Sequence, residues 1–294
     1  MYSPAEETTG STRYRRQQEQ IIDSQSACRQ SALINIERTY QALANDPKYK
    51  HFVSIPARIL RCIDYFGVDC DRTETKARLH SYYLFIGVVD NAIDSGNVDS
   101  GERILQYLSA RNSLLEEEVV SSSLQLVTEM LKGHISAASY SSMLSGFRGL
   151  YQEVISERQA ESIETYIEHR RAVGRLTAEL SYKLIRPLLK HETSRLGQFM
   201  NQVGEVGCLV DSLIDLDADR RLGLLGFQPT IIARGKLIVC TLRSGLSVLL
   251  RHPGLSSLFV QAIVDSVRDR FRGKQVQDAP FIVADRKDEA ASVA

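Results

Sequence analysis

The chain has 294 residues, 43% of them hydrophobic and 24% charged, which is the balance of a water-soluble globular protein with enough chain for a sizeable core. Its 36 basic and 36 acidic residues cancel, so no global field draws it to nucleic acid or an anionic membrane, and any role for charge must be local. Five cysteines (Cys28, Cys62, Cys70, Cys208 and Cys240) without paired spacing argue against a disulfide framework or a zinc site and for reduced thiols in the cytoplasm.

Residues 1–16 are polar and aperiodic, predicting a disordered tail with no apolar run of the signal-peptide kind. From there apolar residues recur at helical spacing, predicting helices at 17–46, 54–66, 72–95, 101–110 and 112–132. The pattern continues at 135–156, 159–173, 175–190, 193–221, 230–250 and 255–272. Stop signals divide the helices, among them Asn45-Asp46-Pro47, Asp94-Ser95-Gly96 and His252-Pro253-Gly254. No stretch approaches the roughly 18 consecutive apolar residues that span a bilayer, so no transmembrane segment is expected. Residues 280–294 predict a second disordered tail. Without alternating β-branched runs, the expectation is one all-α domain over 17–275, a bundle of about ten helices.

Two segments stand out. In SYYLFIGVVDNAIDSG an aromatic and aliphatic run delivers Asp90 and then Asp94, four residues on and therefore on the same helix face. In VGEVGCLVDSLIDLDADRRLG the residues Asp211, Asp215 and Asp219 step along one face, with Asp217 off it and Arg220 and Arg221 following. Carboxylates crowded on an otherwise apolar helix repel one another and are expensive to desolvate. A shared divalent cation removes that penalty, and hard oxygen ligands favour Mg2+. One aspartate pair at this spacing is ordinary on a solvated helix; a triad amid apolar residues, with a second pair elsewhere, is not.

The chain resembles the class I isoprenoid synthases. DNAIDSG (Asp90 to Gly96) is similar to the first DxxxD motif of squalene and phytoene synthases, and Asp211 to Arg221 to their second motif. The i, i+4, i+8 spacing also matches the metal triad of terpene cyclases. YIEHRRAVG (Tyr166 to Gly174) is similar to the cyclase segment in which an arginine senses diphosphate and a glycine marks a helix break. The resemblance implies a helical bundle around a central apolar cavity, a prenyl diphosphate substrate, and three Mg2+ ions held by Asp90, Asp94, Asp211, Asp215 and Asp219. It implies catalytic roles for Arg170, with Arg171 as its substitute, and for Gly174, whose helix break would expose carbonyls to a carbocation. Arg220 and Lys183 are further candidate diphosphate donors. Tyr82, Tyr83, Phe85, Tyr166 and Tyr182 are candidate cavity aromatics, with core packing as the competing role. The chain departs from the chain-elongating synthases, since it has no DDxxD followed by an arginine pair.

The implied activity is Mg2+-dependent loss of pyrophosphate followed by coupling or cyclisation of the cation. The competing class is a non-catalytic helical interaction protein, or an inactive relative, whose aspartates are surface charges. Arg58 and Arg61 read as helix-surface arginines. A homodimer is left open.

Overall fold

The computed structural model describes residues 38–95, 100–109, 122–191, 194–261, 263, 264 and 268, leaving aside the side chains of residues 94, 95 and 100. The predicted tails at 1–16 and 280–294 lie outside these residues, as do the predicted helical stretches 17–37 and 112–121. Among the described residues the chain is all-helical, with one isolated antiparallel bridge between Cys70 and Leu189. The helices are α1 (Lys50–Tyr65), α2 (Arg72–Ser95), α3 (Ser100–Ser109) and α4 (Ser122–His134). They continue as α5 (Ala137–Arg158), α6 (Ile163–Ile185), α7 (Ser194–Arg221) and α8 (Ile231–Arg251). No helix is long and apolar enough to cross a membrane, among the described residues.

Helix starts follow capping chemistry. Ser136, Ser162 and Thr230 each turn a side-chain oxygen to the backbone N–H three residues on, at 3.1, 3.2 and 3.2 Å. Two of the ends use a glycine with positive φ, Gly67 at 64° after α1 and Gly223 at 71° after α7. After α7, Leu224 N–H donates to the Asp219 carbonyl at 2.9 Å and Gly223 N–H to the Arg220 carbonyl at 3.1 Å, the paired bonds of a Schellman end.

The centre of the bundle is α6, which carries α7 on one side and α2 on another. Contacts along α6 and α7 run in opposite senses, from Tyr166–Ser212 through Gly174–Gly204 to Tyr182–Gly197. The same holds for α2 and α6. Arg78 donates to the Leu184 carbonyl at 3.2 Å, and Tyr82, nearer the end of α2, to the Thr177 carbonyl at 2.9 Å. Both partners are antiparallel to α6, so α2 and α7 run parallel to each other. The two aspartate-bearing helices therefore point their C-terminal halves the same way.

The predicted break at Gly174 is not there: Ile163–Ile185 is one continuous helix, uniting the predicted 159–173 and 175–190. Glycine is needed for proximity instead. A Cβ on Gly174 would lie 2.2 Å from the Gly204 carbonyl oxygen, and one on Gly204 would lie 2.3 Å from that of Gly174. The two backbones meet with nothing between them. Gly149 on α5 is the contrast, helical and exposed, with nothing within 4 Å of an added Cβ. Gly174→Ala is expected to destabilise the fold by about 1–3 kcal/mol through overpacking, and Gly149→Ala to stabilise it by up to about 1 kcal/mol. Urea unfolding of the two variants side by side measures both.

Candidate functional site

A cavity of about 300 Å3 opens between α1, α2, α6, α7 and residues 255–263. It sits at the low end of the range for small-molecule pockets, roughly 300–1,000 Å3. Its walls are mainly apolar, with Phe52, Tyr83, Phe199 and Phe259 supplying aromatic surface. The antiparallel register of α6 against its neighbours decides where the polar groups fall. Asp90 is the last residue of α2 to line the cavity, Asp211 the last of α7, and Arg170 the first of α6. All three therefore gather at one end, with Cys208 beside them.

Arg170 is held there by a network from three helices. Its Nε donates to Ser212 Oγ at 2.9 Å, and its Nη1 to both carboxylate oxygens of Glu157 at 3.3 Å each. Ser212 Oγ also accepts from the Tyr166 hydroxyl at 3.1 Å and donates to the Cys208 carbonyl at 2.9 Å. Only 23% of the Arg170 side chain and 11% of Glu157 is exposed, so this ion pair is largely shielded from water. Burial works against the arginine's charge, but the Glu157 carboxylate, helped by Asp211, keeps its pKa well above the ordinary value. The second nitrogen of the fork, Nη2, has no hydrogen-bond partner among the described residues. A permanent cation with an unused donor thus lines the polar end of an apolar cavity.

The other residues singled out in the sequence fall in several places. Asp94 lies in the last turn of α2, one turn beyond Asp90, and its side chain lies outside the described set. Asp215 and Asp219 continue the Asp211 face of α7, half-buried, without lining the cavity. Arg171 points elsewhere and pairs with Glu205 at 2.9 Å in a groove beside α8. Lys183 pairs with Glu179 at 2.7 Å on the exposed side of α6, and Arg220 is exposed at the end of α7. Gly174 lines the cavity as part of an unbroken helix. Of the five aromatics singled out in the sequence, only Tyr83 lines the cavity. Tyr82 and Phe85 are core, Phe85 against Phe147 with ring centroids 5.4 Å apart. Tyr166 packs on Phe227 at 5.4 Å, and Tyr182 lies over Gly197.

Two expectations about arginines divide at α1: Arg61 is exposed, whereas Arg58 lines the cavity. Ser212 and Glu157 were not legible as site residues. Ser212 has a weak signal, a small polar residue on the apolar side of the aspartate helix; Glu157 has none in a single sequence.

Among the described residues no group of three or more acidic, histidine or cysteine side chains converges on a point that would hold a metal ion. The donor set at the cavity end nevertheless suits Mg2+, which takes one or two protein carboxylates and fills its remaining positions with water or phosphate oxygens. Asp90 and Asp211 would supply those carboxylates. Comparison with protein-family models, with curated proteins and with solved structures gives no match.

Ser212→Ala strands the Tyr166 hydroxyl and one Arg170 donor, both away from water. A loss of about 1–3 kcal/mol is expected from the unmade hydrogen bonds, read as a lowered urea midpoint.

The cavity walls also have an alkaline signature. Burial pushes the Cys208 thiol up to about 12, with Arg170 pulling it down and Asp211, Glu157 and Asp90 adding to the rise. Burial likewise raises Cys62 and Tyr83 in the walls, and Tyr166 in the core behind them, to about 12. Each is an acid kept neutral by folding, so the unfolded chain surrenders these protons first as pH rises. Their stabilisation is complete at neutral pH and is lost as pH climbs from about 9, the ordinary thiol value, towards 12. Urea midpoints should fall steadily over that range, and Cys208→Ala should blunt the fall.

Proposed function

We propose that this chain ionises a prenyl diphosphate, with the isoprenoid chain in the apolar cavity and the diphosphate at its polar end. One observation carries the reading. Asp90 and Asp211, from motifs more than a hundred residues apart in sequence, line the same end of one apolar cavity as the shielded cation Arg170. A surface-charge account of the two motifs gives no reason for that meeting. The spacing of each motif, its apolar setting and the likeness to class I isoprenoid synthases support the same chemistry.

In this reading the carbon–oxygen bond to the diphosphate breaks and its electron pair leaves with pyrophosphate, so an allylic cation remains in the cavity. Arg170 Nη2 donates to a diphosphate oxygen and strengthens that bond as negative charge builds on the leaving group. Glu157 and Ser212 hold the guanidinium in place, so little reorganisation accompanies the step. The apolar walls keep out the water that would quench the cation. Phe52, Tyr83, Phe199 and Phe259 in the lining offer it aromatic electron density. Mg2+ bound by Asp90, Asp211 and the diphosphate oxygens would supply most of the neutralising charge. Coupling of two such substrates and cyclisation of one are both compatible with this first step.

Purified protein given geranyl, farnesyl and geranylgeranyl diphosphate with Mg2+ should release pyrophosphate from at least one of them. Asp90→Asn and Asp211→Asn should each slow release by on the order of a hundredfold or more, with melting temperature unchanged or raised as like charges are relieved. No release from any of the three, together with no shift in melting temperature on adding Mg2+ and pyrophosphate, would sink the proposal.

A further inference from the structure

Helix α8 has a surface that the proposed chemistry does not use. Seven of the eleven large hydrophobic residues exposed among the described residues lie on this one helix. Ile231, Leu242, Leu246 and Leu250 are 89%, 67%, 56% and 74% exposed, and Val239 is 65% exposed. At 3.6 residues per turn they fall on one side, opposite the buried face of Ala233, Leu237, Thr241, Gly245 and Val248. A contiguous apolar stripe of this length is uncommon on a monomer in water and marks a surface that docks against something.

The charges bordering the stripe indicate what that is. α8 carries Arg234, Lys236, Arg243 and Arg251 and no acidic residue. Arg234 pairs with Asp217 and Lys236 with Glu164, while Arg243 and Arg251 have no acidic partner among the described residues. Lys236, Arg243 and Arg251, with Arg171 of α6, line a groove of about 850 Å3 along one flank of α8. Its acidic residue, Glu205, is already engaged by Arg171 and Arg175 at 2.9 and 3.6 Å. The flank is net positive and deep enough to receive anionic groups beside an apolar strip. A second copy of the chain fits poorly, because a symmetric contact would set the basic border against its own like charges.

We propose that α8 is a membrane-docking helix, lying flat on an anionic lipid surface with its apolar stripe among the acyl chains and its basic flank against headgroup phosphates. The helix is about 31 Å long but is not apolar enough to cross a bilayer, so the association proposed is peripheral. The inference rests on α8 and the groove beside it and is independent of the reaction proposed above.

The test is flotation of the full chain with vesicles of phosphatidylcholine, and of phosphatidylcholine mixed with phosphatidylserine. Binding to the anionic vesicles is expected, more than about tenfold weaker on neutral ones and weakened by salt. The double variant Leu242→Ser, Leu246→Ser alters exposed side chains only and should reduce binding by about tenfold or more, with an unchanged urea midpoint. Arg243→Gln should weaken binding to anionic vesicles about fivefold and leave neutral vesicles unaffected. The proposal is overturned by absence of binding to anionic vesicles, by equal binding to both compositions, or by a double variant that binds as the parent does. Sedimentation velocity supplies the remaining outcome. A dimer of the parent chain that the double variant converts to monomer would assign the stripe to a second copy and overturn the membrane.

Discussion

Where α6 crosses α7, Gly174 and Gly204 let one backbone rest on the other, and the spacing of the bundle follows from that contact. The Arg170–Ser212 and Tyr166–Ser212 bonds, at 2.9 and 3.1 Å, bridge the same two helices one to two turns away and leave little slack for a wider separation. Tyr182 lies over Gly197 on the other side of the crossing. Since α2 also docks on α6, the position of Asp90 relative to Asp211 depends on this crossing as well. Glycine's usual helix penalty, about 1 kcal/mol relative to alanine, is offset here by contacts no other residue permits.

The polar end of the cavity is organised ahead of any ligand. Removing an arginine and a glutamate from water is unfavourable unless their remaining hydrogen-bonding groups are met. Here Glu157 accepts from Arg170, Arg170 donates to Ser212, and Ser212 answers both Tyr166 and the Cys208 carbonyl. Such a network gives the guanidinium one orientation and leaves the direction of its charge fixed. Its members come from α5, α6 and α7, so the site is tied to the core and does not hang from a loop. Burial pushes Cys208 and Tyr166, on either side of this network, up to about 12.

Helix content was legible because apolar periodicity and stop signals are local. Arg72–Ser95 falls on the predicted bounds, and the ends of α7 and α8 lie within a residue of them. Gly174 misled for the opposite reason. A glycine within a helix is equally compatible with a break and with a close crossing, and only the presence of Gly204 across the interface distinguishes them. The resemblance implied a common site for Asp90 and Asp211, which both line the cavity, whereas the departure of Arg171 towards Glu205 had no signal in the sequence. Adjacent residues on a helix point about 100° apart, so of Arg170 and Arg171 only one can face the cavity, and the neighbours decide which. The exposed side of α8 was hidden similarly. Apolar periodicity marks a helix there, but nothing local separates an apolar face that is covered from one that is bare, as this one is.

The register of the helices also bears on how the site assembles. Arg170 and Ser212 are 42 residues apart in the chain, and the α6–α7 hairpin that joins them needs only a short connection. Tyr82 and Thr177, which dock α2, are 95 residues apart. Closing the longer loop costs about 0.7 kcal/mol more in chain entropy, and α2 gains most of its contact with α6 only once α6 has a surface to offer. Loop entropy thus favours the hairpin as the earlier structure. The cation and one carboxylate of the polar end belong to a local unit, and the other carboxylate, Asp90, arrives by a long-range closure that completes the cavity wall.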